Sequence, residues 1–570
     1  MAADFQVVGE NPRSLFTLKV HRGEGMALLA MNWKSGEPPE DFAGFAISYM
    51  EPGGDRFFVL QNRVSFAHTA GGVDARSHPT TLSPIQKFRW VHFPRNAELA
   101  GEFTYRVVPV FMNAADELSY GEAQKASLEL RRETYPDALN VTFTRGFVSS
   151  QAFVDRYEAL APITTLLPAD ADEGLSFVPT HPKADEALHW MGFEARHAIL
   201  EVLDQAAADT QSQVEVIAYD LNQPEILSRL QKLGNRLRVI IDDDGAHGEA
   251  HAAEAQAEAR LVSSAGRSNV KRQHMGKLQH NKTIIVDGPN TQAVVCGSTN
   301  YSWRGFFVQA NNAVVLRGSG AVEAFRAGFE AYWENDGAAG FGKTPAARFT
   351  SLGLTGIDAS VAFSPHAKSN ALLSTIADDI GQNATSSLFY SLAFLYQTGG
   401  PIREAIKTVT SDDDIFVYGM SDKKVGGLDL QTPNGNVKPV HPSALKTNVP
   451  EPFKSEPSGG GGNRMHHKFV VIDFDTPDAR VYLGSYNFSA SADSKNGENL
   501  LLVKDRRVAV AYTVEALRLF DHYHFRMKQQ DATAQRQLVL TRPPRQPGEV
   551  PWWSEHYTSP TKIRDRELFA

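Results

Sequence analysis

The stretch HNKTIIVDGPNTQAVVCGSTN, residues 280–300, sets a histidine and a lysine two apart at the head of an apolar run, closes the run with an aspartate, and ends in Gly-Ser-x-Asn. A second stretch, HHKFVVIDFDTPDARVYLGSYNFS at 466–489, has the same skeleton. Each copy reads His-x-Lys, four residues, Asp, nine or ten residues, then Gly-Ser-x-Asn. The first supplies His280, Lys282, Asp287, Gly297, Ser298 and Asn300, the second His466, Lys468, Asp473, Gly484, Ser485 and Asn487. Side chains two apart on a strand share a face, so each histidine and lysine can enter one pocket. The Gly-Ser-x-Asn, at the end of the next strand, can add donors there.

The surroundings repeat as well. QVEVIAY (213–219) reads as a strand and NQPEILSRLQKLG as a helix with Asn222 as N-cap, Pro224 in its first turn and Gly234 closing it. RLRVIID is the next strand; after the first signature come the strand NAVVLR and the amphipathic helix SGAVEAFRAGFEAYWEND. The second half runs in the same order through TSSLFYSLAFLY, GPIREAIKTV, DDIFVYG, the second signature, NLLLVK and RRVAVAYTVEALRLFDHYHF. A strand–helix–strand–signature–strand–helix unit therefore occurs twice, with an α/β texture. The Gly-, Pro-, Ser- and Asn-rich segment 421–465 reads as a loop leading into the second signature.

Residues 14 to about 131 have another texture. LFTLKVHR, MALLAMNW, GFAISYME, FFVLQNRV, FRWVHFP, FTYRVVPVFM and KASLELR are short, partly alternating strands, spaced as in a sandwich. With 570 residues the chain exceeds one hydrophobic core. Four segments are expected: a β-sandwich at 1–135, α/β halves at 136–345 and 346–535, and a tail at 536–570. The net charge of −9 argues against general coating of DNA or anionic membrane, without forbidding a local basic cleft. A single cysteine, Cys296, excludes an intramolecular disulfide. No signal peptide pattern opens the chain, and no apolar run nears the ~18 residues of a spanning helix, so a cytoplasmic protein is expected.

Two copies facing across a pseudo-twofold would join two imidazoles, two ammoniums and two amides. Such a site suits a tetrahedral oxyanion: lysines and asparagines hold the non-bridging oxygens while one imidazole attacks phosphorus and the other protonates the leaving oxygen. The lysines then do the work of a metal, and neither metal nor cofactor is expected. A single His-x-Lys-x4-Asp fixes three positions, and a solvated strand end explains it equally well; two copies inside a duplicated unit do not reduce to that. Asp287 and Asp473 suit fixing the local turn and the lysine better than catalysis.

The doubled signature resembles the phospholipase D superfamily, over roughly residues 140–530. The resemblance implies a duplicated α/β fold of two pseudo-twofold halves, mixed sheets flanked by helices, and metal-independent phosphodiester chemistry through a phosphohistidine. It also implies an acidic or amide partner for each histidine from the opposite half. Glu498, in NGENLLLV, would then orient His280, and Asn311, in QANNAVVL, would contact His466. A carboxylate stabilises an imidazole's cationic, phosphorylated form, which makes His280 the nucleophile and His466 the acid, then base. The substrate implied first is a glycerophospholipid, cleaved to phosphatidic acid and free head group. A nuclease or DNA-repair phosphodiesterase acting on nucleic acid is the alternative, supported by NGENL and by the amide–carboxylate asymmetry. The N-terminal strands, with Trp33, Tyr105 and an Asn-to-Gly turn, resemble a fibronectin type III domain of open partner.

Three weaker signals remain. His247 and His251 stand four apart near Glu254 on an Ala-rich segment read as one helix, a spacing that could hold a metal but lacks a third ligand, so solvated charges are the plainer reading. From Arg260 through Arg267, Lys271, Arg272 and Lys277 to Lys282 there is no acidic residue, which makes either a steering strip or a solvated basic loop. Trp552, Trp553 and Tyr557 either pack back on the body or line a lipid or base pocket.

Overall fold

Apolar side chains two apart build the first unit. In the computed structural model, which describes residues 5–66, 78–130, 133–146, 153, 156–395, 398–412, 414–421, 465–531 (side chains to 522) and 539–570, two compact units are present. One holds the N-terminal residues to 130 and those from 510 onward; the other holds 133–421 and 465–509. The 421–465 loop, save its two end residues, lies outside the described residues.

The described residues of the first unit form a two-stranded antiparallel sheet, Gln61–Asn62 with His78–Pro79, and two larger antiparallel ones. One runs Gln6–Val8, Phe16–Arg22, Ala27–Trp33, Arg89–His92; the other runs Leu118–Tyr120, Glu102–Met112, Phe42–Met50, Phe58–Val59, with Gln124–Glu129 also on Glu102–Met112. Alternate residues Phe103, Tyr105 and Val107 enter a core with Phe16, Phe42, Phe45 and Phe88. The C-terminal aromatics pack into that core. Trp552 stacks on Phe88 at 5.4 Å and donates its indole N–H to the Phe42 carbonyl at 3.0 Å, while Trp553 is buried beside them.

The second unit contains two seven-stranded mixed sheets with helices packed on them. The first runs Leu139–Phe143, Asn312–Arg317, Gln292–Gly297, Lys282–Asp287, Gln213–Ala218, Leu237–Ile241, Val270–Arg272. The second runs Thr350–Ser351, Asp358–Ser364, Glu498–Lys504, Arg480–Gly484, Lys468–Ile472, Ser387–Leu392, Phe416–Met420. Six strands correspond in the same order, from Leu139–Phe143 and Asp358–Ser364 to Leu237–Ile241 and Phe416–Met420. These are the strands of the duplicated unit, nearly continuous in Val, Ile, Leu and Ala because both faces are covered.

The halves join where the signatures lie. Gln279 bridges Gly497 in parallel and Ala310 bridges Met465 likewise, so the residue before each histidine meets the residue before Glu498 or Asn311 of the other half. Among the described residues no helix is long and apolar enough to cross a membrane. One boundary differs from the expectation: the cap of helix Pro224–Leu233 is Gln223, whose side chain accepts from Glu225 N–H at 3.0 Å, and not Asn222. Asn222 instead accepts from Trp303 N–H at 3.0 Å, a partner far along the chain.

The glycine of each Gly-Ser-x-Asn is required by the backbone. Gly297 and Gly484 have φ of 129° and 138°, and a Cβ there would sit 2.6 Å from the Asn312 carbonyl oxygen and 2.4 Å from that of Asn499. Gly484→Ala is therefore expected to lower stability by about 1–3 kcal/mol, read as a lower urea midpoint. Gly399→Ala, which meets no atom within 4 Å, is the control and should leave the midpoint in place. Equal midpoints for the two variants would contradict this assignment.

Candidate active site

Each histidine stands just outside the strand that begins with its lysine, at Lys282–Asp287 and Lys468–Ile472. The two imidazoles face each other with ring centroids 6.4 Å apart, inclined by 72°. Both are nearly buried, and so are the lysines. Lys282 Nζ donates to the carbonyl of His280 and Lys468 Nζ to that of His466, so each ammonium curls back beside its histidine. The ring of Tyr219 lies under Lys282 at 4.6 Å and touches His280 at 4.7 Å. The ring of Phe394 lies by Lys468, at 5.5 Å.

The histidines exchange partners between the halves. His466 Nδ1 lies 2.8 Å from Asn311 Oδ1. That amide is oriented by its other end, where Nδ2 donates to the Gly305 carbonyl at 2.9 Å, and Ser298 Oγ also donates to Oδ1 at 3.0 Å. An acceptor facing Nδ1 puts the proton there and leaves Nε2 for chemistry. His280 Nδ1 lies 3.4 Å from Glu498 Oε1, an ion-pair distance without a directed hydrogen bond. Glu498 is fully buried and held by Asn487 N–H at 2.8 Å and Asn496 Nδ2 at 2.8 Å. Ser485 Oγ accepts from Asn499 N–H at 3.0 Å, tying the second Gly-Ser turn to the strand that carries Glu498. The side-chain oxygens of Asn300 and Asn487 are buried without a hydrogen-bond partner.

The two aspartates do other work. Asp287 closes its strand and pairs with Arg326 at 2.6 Å. Asp473, at φ 54°, accepts from the backbone N–H of Thr385, Ser386 and Ser387 at 2.8 to 3.1 Å. Both anchor the far ends of the lysine-bearing strands.

Burial makes this a site of suppressed cations. It pushes His280 down to about 4, helped by Lys282 and opposed by Glu498. It drives His466 and Lys468 well below their ordinary values and Lys282 down to about 7. A desolvated cation is costly, and the carboxylates of Glu498, Asp220 and Asp242 offset that cost only in part.

Around His280 the structure gathers residues that spacing alone did not show. Tyr219 and Asp220 follow the strand paired with Lys282–Asp287, and Asp242 Oδ1 accepts from Gln279 N–H at 2.6 Å. His247 lies in a 3-10 turn, Gly245–Gly248, and the helix begins only at Ala253, so His247 and His251 do not share a helix. His247 packs on Tyr219 at 4.7 Å, while His251 is exposed. The basic stretch is tied down by groups from elsewhere: Arg267 and Arg272 pair with Glu258, Lys271 with Asp336, and Arg260 donates to the Leu175 carbonyl.

Comparison with known proteins places the chain. The sequence profile of the family described as cardiolipin synthase, PLD-like domain, matches it twice, at residues 199–333 and 386–520. The chain belongs to the phospholipase D superfamily. It is 43% identical over 47 residues to a phospholipase D of Rickettsia prowazekii, 8% of this chain and 21% of that one. It is 41% identical over 59 residues to a mitochondrial cardiolipin hydrolase of Xenopus tropicalis, 10% of this chain and 26% of that one. These alignments span about a fifth to a quarter of the relatives' length. A solved phosphatidylserine synthase of Haemophilus influenzae is 15% identical, covers 66% of this chain and 93% of its own, and superposes with a TM-score of 0.40.

The suppressed cations give an expected sign. A bound oxyanion would raise the pKa of Lys282 from about 7 and reverse the downward shifts of Lys468 and His466, so binding would take up protons. Sulfate, whose charge is constant across neutral pH, should bind more tightly as pH falls from 8.5 toward 6. Calorimetry in buffers of different ionisation enthalpy should show net proton uptake. Binding that is independent of both pH and buffer would contradict this account.

Proposed function

We propose that the protein is a metal-independent phosphodiesterase that works through a covalent phosphohistidine on His280. The observation that carries the proposal is the facing pair of buried imidazoles, 6.4 Å apart, with unlike partners. His280 has a carboxylate, Glu498, beside Nδ1; His466 has a neutral amide, Asn311. A carboxylate favours the ring that becomes cationic on phosphorylation, and an amide leaves the other ring free to give and take one proton.

In the first step His280 Nε2 attacks phosphorus and the P–N bond forms. The bond to the leaving oxygen breaks, and that oxygen takes the proton that His466 Nε2 gains from solvent when the anion binds. In this reading Lys282, Lys468, Asn300 and Asn487 hold the non-bridging oxygens, and the bound anion restores the charge that burial suppresses on the lysines. In the second step His466 removes a proton from water, whose oxygen bonds to phosphorus as the P–N bond breaks. Ser298 and Ser485 keep Asn311 and the Glu498 strand in place, and Asp287 and Asp473 hold the strands from behind.

For the substrate we propose a glycerophospholipid, hydrolysed to phosphatidic acid and free head group. The net charge of −9, the engagement of the Arg260–Arg272 basic side chains, and the phospholipase D and cardiolipin hydrolase among the relatives support this choice over nucleic acid. For the β unit, the fibronectin type III reading is supported by its two larger antiparallel sheets and buried Tyr105.

Leaving-group dependence separates the histidines. His466→Ala should slow alkyl phosphodiesters by about 10²–10⁴-fold, spare the first step with a nitrophenyl diester, and accumulate a phosphoenzyme. Mass spectrometry of quenched His466→Ala protein should place the adduct on His280, and His280→Ala should form none. An adduct elsewhere would overturn the assignment. Phosphatidylcholine vesicles and single-stranded DNA, assayed side by side, should yield phosphatidic acid and leave the DNA intact; cleavage of DNA alone would replace the lipid by nucleic acid.

A further inference from the structure

Next to His280 the first half carries ligating side chains that the phosphoryl chemistry does not use. Asp220 follows strand Gln213–Ala218, His247 lies in the turn Gly245–Gly248, and Glu254 opens helix Ala253–Ala265. One ligating atom from each lies within 4.8 Å of the others, so three separate segments converge on one point.

The imidazole is set up for a cation. Asp242, fully buried, lies 2.8 Å from His247 Nδ1 and takes its proton; against the pull of burial, and with Asp220 facing Nε2, the two carboxylates raise the imidazole to about 10, so a metal ion would displace the proton that Nε2 carries. A carboxylate on the far nitrogen is the usual support of a metal-bound histidine, because it fixes the tautomer and raises ligand basicity. Nε2 faces Asp220 Oδ1 at 3.4 Å. That is long for a hydrogen bond, yet two ligands each ~2.1 Å from a tetrahedral ion stand about 3.4 Å apart. Asp220 keeps Oδ1 for this contact because Ser302 Oγ donates to its Oδ2 at 3.1 Å.

Charge points the same way. Asp220, Asp242 and Glu254 set three carboxylates around one imidazole, and Glu254 and Asp242 are buried. Buried charges call for a counter-ion or a full set of partners; Asp242 has Gln279 N–H, Asp244 N–H and His247, whereas Glu254 has Leu221 N–H at 2.9 Å and the nearby His247 imidazole. The matching register position in the second half is Phe394, two residues beyond the pairing of Leu392 with Lys468, just as Asp220 lies two beyond that of Ala218 with Lys282. The cluster is therefore no general requirement of the duplicated unit.

We propose that Asp220, His247 and Glu254 bind one divalent transition-metal ion of the zinc class, with water as fourth ligand and Asp242 as the support of His247. The ion clamps the turn and the helix start to the end of the strand that bears Tyr219, whose ring touches both His247 and His280 at 4.7 Å. It takes no step in phosphoryl transfer, so the proposal stands apart from the phosphohistidine reading.

The test uses untagged full-length protein stripped with a chelator and dialysed. Titration calorimetry with Zn²⁺ should give one site per chain, and Co²⁺ should give the visible absorption of a tetrahedral site. Asp220→Asn and Glu254→Gln should each weaken Zn²⁺ binding at least tenfold, and Asp242→Asn about 10–100-fold. Zn²⁺ should raise the melting temperature of the wild type and not that of Glu254→Gln. No saturable one-to-one binding by folded wild-type protein would overturn the proposal, as would wild-type affinity in folded Asp220→Asn or Glu254→Gln.

Discussion

The catalytic unit depends on an exchange of hydrogen-bonding partners between its halves. Asn311 of the first half holds His466 of the second at 2.8 Å, and Glu498 of the second lies 3.4 Å from His280 of the first. Neither half alone contains a histidine with its own partner. The exchange is built into the backbone, since the residues before these groups form the bridges Gln279–Gly497 and Ala310–Met465. Further contacts continue it, with Asn499 Nδ2 donating to Asn281 Oδ1 at 2.8 Å. Duplication supplies the symmetry, and one difference, a carboxylate against an amide, breaks it by giving the two imidazoles unlike partners.

Burial then decides the electrostatics. Two lysines and two histidines share a dry pocket, where the cost of desolvation keeps them from carrying full charge together. In the proposed reaction an incoming phosphodiester adds counter-charge, and the lysines regain charge as the site fills. The carboxylates of Asp220, Asp242 and Glu498 offset part of the cost of protonating the lysines, and burial outweighs them.

Much of this was legible in the sequence, for a definite reason. His280, Lys282, His466 and Lys468 are marked by short-range spacing, and the repeated strand order fixes which strands neighbour one another. The glycine of Gly-Ser-x-Asn is legible too, because only that residue accepts so close an approach to Asn312 and Asn499. Tyr219, Asp220 and Phe394 were not legible, since they reach the site through strand register against the lysine-bearing strands. The helix drawn across His247 and His251 failed because Gly245 and Gly248 hold a tight turn there, and composition rich in alanine hid it. The basic run from Arg260 looked unneutralised only because Glu258 precedes it and Asp336 lies far downstream.

The central claim is that one oxyanion site is shared between the halves, with bond formation on the His280 side. A crystal structure of the wild-type protein with vanadate, which adopts the five-coordinate geometry of phosphoryl transfer, tests this most directly. The account expects vanadium bonded to His280 Nε2, with His466 Nε2 on the opposite, apical oxygen and Lys282 and Lys468 on the equatorial oxygens. Vanadate bonded to His466, or held by the residues of one half alone, would contradict it.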